Sequence, residues 1–121
     1  MNILILEDSN ERAVAFFRNL PKHDLCFVKT AQEAVSQLID DEWDVLFLDH
    51  DLGGKILQPS DENSGYGVAC WLAENQDRKP ALIIIHSLNP VGALRMWRAL
   101  PGSCLLPGAW ALEDREIFKE K

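Results

Sequence analysis

Short apolar runs alternate with helical stretches five times along this chain. That alternation predicts an α/β fold with a parallel sheet and right-handed crossovers. The runs are also uninterrupted by polar residues, as expected for strands buried on both faces.

Ile3 to Leu6 is the first such run, bounded by Glu7-Asp8. Ser9 to Leu20 follows as a helix, with Ala13, Phe16, Phe17 and Leu20 on one face and Pro21 closing it. Leu25 to Val28 is the second strand. Thr30-Ala31-Gln32-Glu33 is a capping box that opens a helix running to about Ile39. Val45 to Leu48 is the third strand and ends at Asp49-His50-Asp51. A polar loop spans Leu52 to Ser64, and Tyr66 to Glu74 forms the third helix. Ala81 to Ile85 is the fourth strand, ending at His86-Ser87. Asn89 suits a helix cap and Pro90 the first helical position. The helix they open is expected to carry Leu94, Trp97 and Leu100 inward. Cys104 to Leu106 is a short fifth strand, and Ala109 to Lys121 has room for one short helix. Five strands in this length suit a flavodoxin-like sheet of order 2-1-3-4-5, with helices on both faces.

The 121 residues are expected to form one domain, 1–121, with a mass of 13.7 kDa. The composition, 47% hydrophobic and 26% charged, excludes a disordered or fibrous chain. Apolar runs such as Ala81 to Ile85 are far short of the ~20 residues a spanning helix needs. The first residues lack the basic flank of a signal peptide, so a cytoplasmic location and no membrane partner are expected. A net charge of −7 argues against broad binding to duplex nucleic acid, but not against one nucleic-acid end held at a metal. Cys26, Cys70 and Cys104 are odd in number and lack C-x-x-C spacing, so they read as buried reduced thiols.

In a sheet of this order the ligand site lies beyond the carboxyl ends of the strands, at the switch point. Strands one, three and four lie there side by side, ~4.8 Å apart. Glu7, Asp8 and Asp49 would then crowd three carboxylates, which raise one another's pKa or hold a cation between them. A hard divalent ion with oxygen ligands fits, Mg²⁺ first and Mn²⁺ second. The metal candidates are Glu7, Asp8, Asp49 and Asp51. His50 and His86 sit on neighbouring strand ends, where they could act as general acid and base or ligate a transition metal. Asn89 and Ser87 are candidates to meet a phosphate, Asn89 at a helix start whose amides would face an anion. Both also suit plain capping of the turn. His23, on a connection, reads as a surface residue, and Arg95 as a surface or supporting one. Trp43, Trp71, Trp97 and Trp110 read as packing, with Trp110 near the site edge.

Glu7-Asp8, Asp49 and Ser87 resemble the acidic pair, phosphoacceptor aspartate and hydroxyl residue of response-regulator receiver domains. The resemblance implies Mg²⁺ at the acidic residues and phosphorylation of Asp49. Leu106-Pro107 stands where that family has Lys-Pro, and Lys55, in the long loop, is a possible substitute. Leu48 to Gly53, with Ile85 to Ala93, is similar to a narrower group, the cyclic-phosphate processing receiver-like domains. That likeness implies a metal-dependent phosphoesterase acting on a phosphorylated small molecule or the cyclic phosphate end of an RNA. Asp49, His50 and His86 would be its catalytic residues. The alternative is a receiver or pseudo-receiver module, regulated at Asp49, that controls a protein partner.

Overall fold

The computed structural model describes residues 1–52 and 63–118; Lys55, offered above as a substitute cation, lies outside them. Five parallel strands, β1 (Asn2–Leu6), β2 (Asp24–Val28), β3 (Val45–Leu48), β4 (Leu82–Ile85) and β5 (Cys104–Leu105), pair in the order 2-1-3-4-5. This is the flavodoxin-like sheet that the sequence predicts. The helices are α1 (Asn10–Asn19), α2 (Ala31–Asp40), α3 (Gly65–Glu74), α4 (Pro90–Ala99) and the short α5 (Asp114–Ile117). Ser9, Thr30, Ser64 and Asn89 cap the first four, each side chain accepting a first-turn N–H. No helix among the described residues is long and apolar enough to cross a membrane.

Side chains alternate across a strand, so the sheet separates two cores. Leu4, Leu6, Leu46, Leu48, Ile83 and Ile85 point to one face and pack under α2, α3 and α4. Ile3, Ile5, Val45, Phe47 and Ile84 point to the other. There they meet Phe16 and Leu20 of the α1 region, and Ala109, Trp110, Ile117 and Phe118 of the C-terminal segment.

Several helix faces differ from expectation. Phe16 and Leu20 are buried, but Phe17 is 67% exposed. On α4 the buried stripe is Ala93, Met96 and Leu100, while Leu94 and Trp97 face outward. Both sets keep helical spacing, and the small Gly92 and Ala93 decide between them by letting α4 approach the sheet. A Cβ at Gly92 would overlap the His50 ring. Trp97 instead donates Nε1–H to the Ser103 carbonyl at 3.1 Å. Cys104 is exposed on an edge strand, and Cys26 and Cys70 are half-buried rather than core.

Candidate functional site

The register places Leu6, Leu48 and Ile85 in one row across β1, β3 and β4. The next residue on each strand is Glu7, Asp49 or His86. The ladder runs one residue past the strands: Asp49 N–H donates to Leu6 O at 3.3 Å and His86 N–H to Leu48 O at 3.0 Å. By alternation all three side chains fall on the α1 side of the sheet. Each offers a ligand atom within 4.8 Å of the others, and all three residues are buried.

His86 Nε2 is 3.1 Å from Glu7 Oε1, and its ring packs edge-on against Phe16 and Trp110. Glu7 Oε2 accepts from Ser9 N–H at 3.0 Å. Burial pushes the Glu7 pKa up. The bonds from His86 and Ser9, with the charges of His86 and Arg12, outweigh it and hold this carboxyl below its ordinary value. Asp49 goes the other way. Burial is the leading cause, and the neighbouring Glu7 charge adds to it. His86, Arg12 and the His50 N–H oppose it, and the pKa stands at about 6. Asp49 Oδ1 accepts from His50 N–H at 2.9 Å, whereas the buried Oδ2 accepts no hydrogen bond among the described residues.

Arg12, on α1, is a site residue that sequence reasoning missed. Its Nε lies 3.2 Å from Glu7 Oε1 and an Nη lies 3.7 Å from Asp49 Oδ2. Its guanidinium sits 5.0 Å from the centre of the Trp110 ring. A signal was available: the cap at Ser9 fixes the helix phase, and position 12 then turns back over the strand ends.

Of the metal candidates, the structure brings Glu7 and Asp49 together with His86, not with Asp8 or Asp51. Asp8 follows Glu7 into the turn before the helix cap. Asp51 Oδ1 instead meets His50 Nδ1 at 2.9 Å and Asn89 Nδ2 at 3.2 Å. His50 and His86 do not meet as an acid–base pair. Asp49 and His50 are consecutive, so the His50 ring falls on the opposite face, against Gly92 of α4. There its Nε2 is buried without a hydrogen bond among the described residues. Ser87 Oγ accepts from Asn89 N–H at 3.1 Å, and Asn89 Oδ1 caps α4 through Gly92 N–H at 3.1 Å. His23 is no simple surface residue: its ring bridges the N-terminal ammonium (3.3 Å) and Asp114 Oδ2 (2.9 Å). Arg95 stacks on Tyr66 at 5.5 Å. Leu106, in the lysine position, is a half-buried part of the α1-side core.

The donor set tolerates a divalent ion. Ligands on opposite sides of an ion at ~2.0–2.4 Å stand about 4–4.8 Å apart. Two carboxylates suit Mg²⁺ or Mn²⁺, and an imidazole beside them favours Mn²⁺ over Mg²⁺.

Comparison with known proteins agrees with this architecture. The sequence model of the "Cyclic-phosphate processing Receiver domain" matches residues 2–101. Among solved structures, the chain is similar to the signal receiver domain of a signal transduction histidine kinase from Syntrophus aciditrophicus, with 21% identity and a TM-score of 0.68. That match covers 88% of this chain and 77% of the other. The Mn²⁺-bound response regulator Rcp1 matches at 20% identity and TM-score 0.66, covering 88% and 79%. The response regulator TrrA from Thermotoga maritima, in complex with Mg²⁺-BeF, matches at 18% and 0.66, covering 88% and 86%. No curated protein matches significantly. These findings correct the phosphoesterase expectation. The matching family is one of receiver domains, which favours the receiver alternative over the hydrolytic reading, and the solved structures share its fold. The split histidines remove the acid–base pair on which the hydrolytic reading rested.

Proposed function

The chain belongs to the cyclic-phosphate processing receiver domains, and from that premise we propose that it is a receiver-type binding module. A divalent cation at Glu7 and Asp49 is the input, and a protein partner on the outer face of α4 and β5 is the output. The observation that carries this reading is the Glu7–Asp49–His86 row, whose ligand atoms lie within 4.8 Å of one another. When bound, the cation supplies positive charge between two crowded carboxylates. The residues of the chain do the rest. Asp49 and Glu7 present oxygens, His86 orients Glu7, and the His50 N–H fixes one oxygen of Asp49. The output face is supported by Leu88, Val91, Leu94, Trp97 and Leu105, large apolar residues that are all exposed.

Titration with Mn²⁺ or Mg²⁺ tests the input. A ligand that binds the folded state alone stabilises it by about 2.7 kcal/mol at a hundredfold excess over Kd. The melting temperature is expected to rise with metal, and Asp49→Ala to abolish the rise. No shift in the wild type at millimolar metal overturns the reading. Hydrogen exchange across Pro90–Ala99 tests the output, since it is expected to change with Mn²⁺ in the wild type and not in Asp49→Ala. With Leu106 apolar, acetyl phosphate is expected to leave little lasting aspartyl phosphate by intact mass. Stoichiometric, long-lived phosphorylation would make the phosphoryl group the input instead.

A further inference from the structure

We infer that Arg12 is the resident cation of the acidic site, a tethered guanidinium that a divalent ion must displace in order to bind. The inference rests on the reading of Glu7 and Asp49 as a cation site and names what regulates it. Arg12 reaches Glu7 Oε1 and Asp49 Oδ2, one oxygen from each carboxylate. Asp49 Oδ2 is also the buried oxygen that accepts no hydrogen bond among the described residues, so it is the donor most available to an incoming ion. A guanidinium and a divalent ion a few ångströms apart repel strongly in a half-buried site, so the two occupants exclude each other.

Arg12 is built to hold this position and to leave it. The Ser9 hydroxyl accepts from its backbone N–H at 3.4 Å, while Ser9 N–H binds Glu7, which ties the start of α1 to the carboxylate. The indole of Trp110 backs the guanidinium, and Asn19 Nδ2 holds the Trp110 carbonyl at 2.7 Å. Yet Arg12 Nε makes no well-aligned hydrogen bond, the contact to Asp49 is 3.7 Å long, and the side chain is 31% exposed. A planar cation spans both carboxylates and stacks on the indole, which a lysine ammonium does less well. Trp110 lies beyond the residues matched by the family model, 2–101.

Mn²⁺ binding measured by calorimetry at one pH, on the full chain, tests the inference. Arg12→Gln is expected to bind Mn²⁺ about tenfold or more tightly than the wild type, and Arg12→Lys to fall between. Mn²⁺ is also expected to change the indole emission of the wild type, by a component lost in both Trp110→Phe and Arg12→Gln. If Arg12→Gln binds no tighter than a wild type that does bind, the displacement is wrong and the cation site stands. If neither protein binds Mn²⁺, both are wrong. Binding by Arg12→Gln alone supports the displacement in its strongest form. Should Arg12→Gln fail to fold, Arg12→Lys carries the same comparison, and equal or weaker binding by it overturns the inference.

Discussion

Asp49 is charged at neutral pH at a cost set by its surroundings. Its folded pKa of about 6 lies above the ordinary 3.8, so the folded state holds the proton more tightly than the unfolded chain. Stability contributed by this residue therefore falls as pH rises from about 4 to 6, and two pK units correspond to roughly 3 kcal/mol. Asp49→Asn is expected to stabilise the protein by up to that amount at pH 8. The gain should vanish near pH 4, as read by urea denaturation at both values. Glu7 has the opposite sign. Its lowered pKa supplies stability above its ordinary 4.5, which is lost as pH falls through its folded value. Glu7→Gln is thus expected to destabilise near neutrality and much less in acid. The sequence shows Glu7 and Asp49 because each directly follows an apolar run. It shows His86 in the same place, yet pairs it with His50, since adjacency along a strand conceals which face a side chain takes. Arg12 lies in a helix whose rotation only the cap at Ser9 fixes.

The fourth helix shows how an element can satisfy a hydrophobic pattern in two ways. Ala93, Met96 and Leu100 face the core, while Val91, Leu94 and Trp97 present a second apolar stripe to solvent. Periodicity finds both, and only the close approach at Gly92 selects the inner one. Met96→Ala is expected to cost about 2–5 kcal/mol, against no more than about 0.5 kcal/mol for Leu94→Ser, by chemical denaturation. Gly92→Ala is expected to destabilise by about 1–3 kcal/mol despite the better helix propensity of alanine, because its methyl group meets the His50 ring. Strand and helix order were legible throughout, since each run has one period and one pair of end signals. The outward turn of Phe17 and Trp97 was not, because the buried faces are slim, Phe16 on α1 and Gly92, Ala93 and Met96 on α4.

Across the whole molecule the sheet divides the labour. One face carries the acidic row under α1 and the C-terminal segment, and the other packs α2, α3 and α4. The segment from Ala109 to Phe118 belongs to the first face, with Ala109 fully buried and His23 bound to Asp114. A chain ending at Gly108 is therefore expected to melt well below the full protein, and to lose the Arg12 platform with it. Parallel topology and strand order were legible because alternating elements leave few connections that obey the crossover rule. The role of the tail was not, since its contacts are made with residues some ninety positions away.

The two faces meet at one peptide plane. Asp49 and His50 are neighbours in the chain, and the His50 N–H donates to the Asp49 carboxylate at 2.9 Å. The ring of the same histidine rests on the far side against Gly92. The amide of His50 is thus a native reporter. Its proton resonance registers the charge on the acidic face, while its ring resonances register the seating of α4. A single isotope-labelled histidine lets both be read in one spectrum, and the order in which they move tells which side leads.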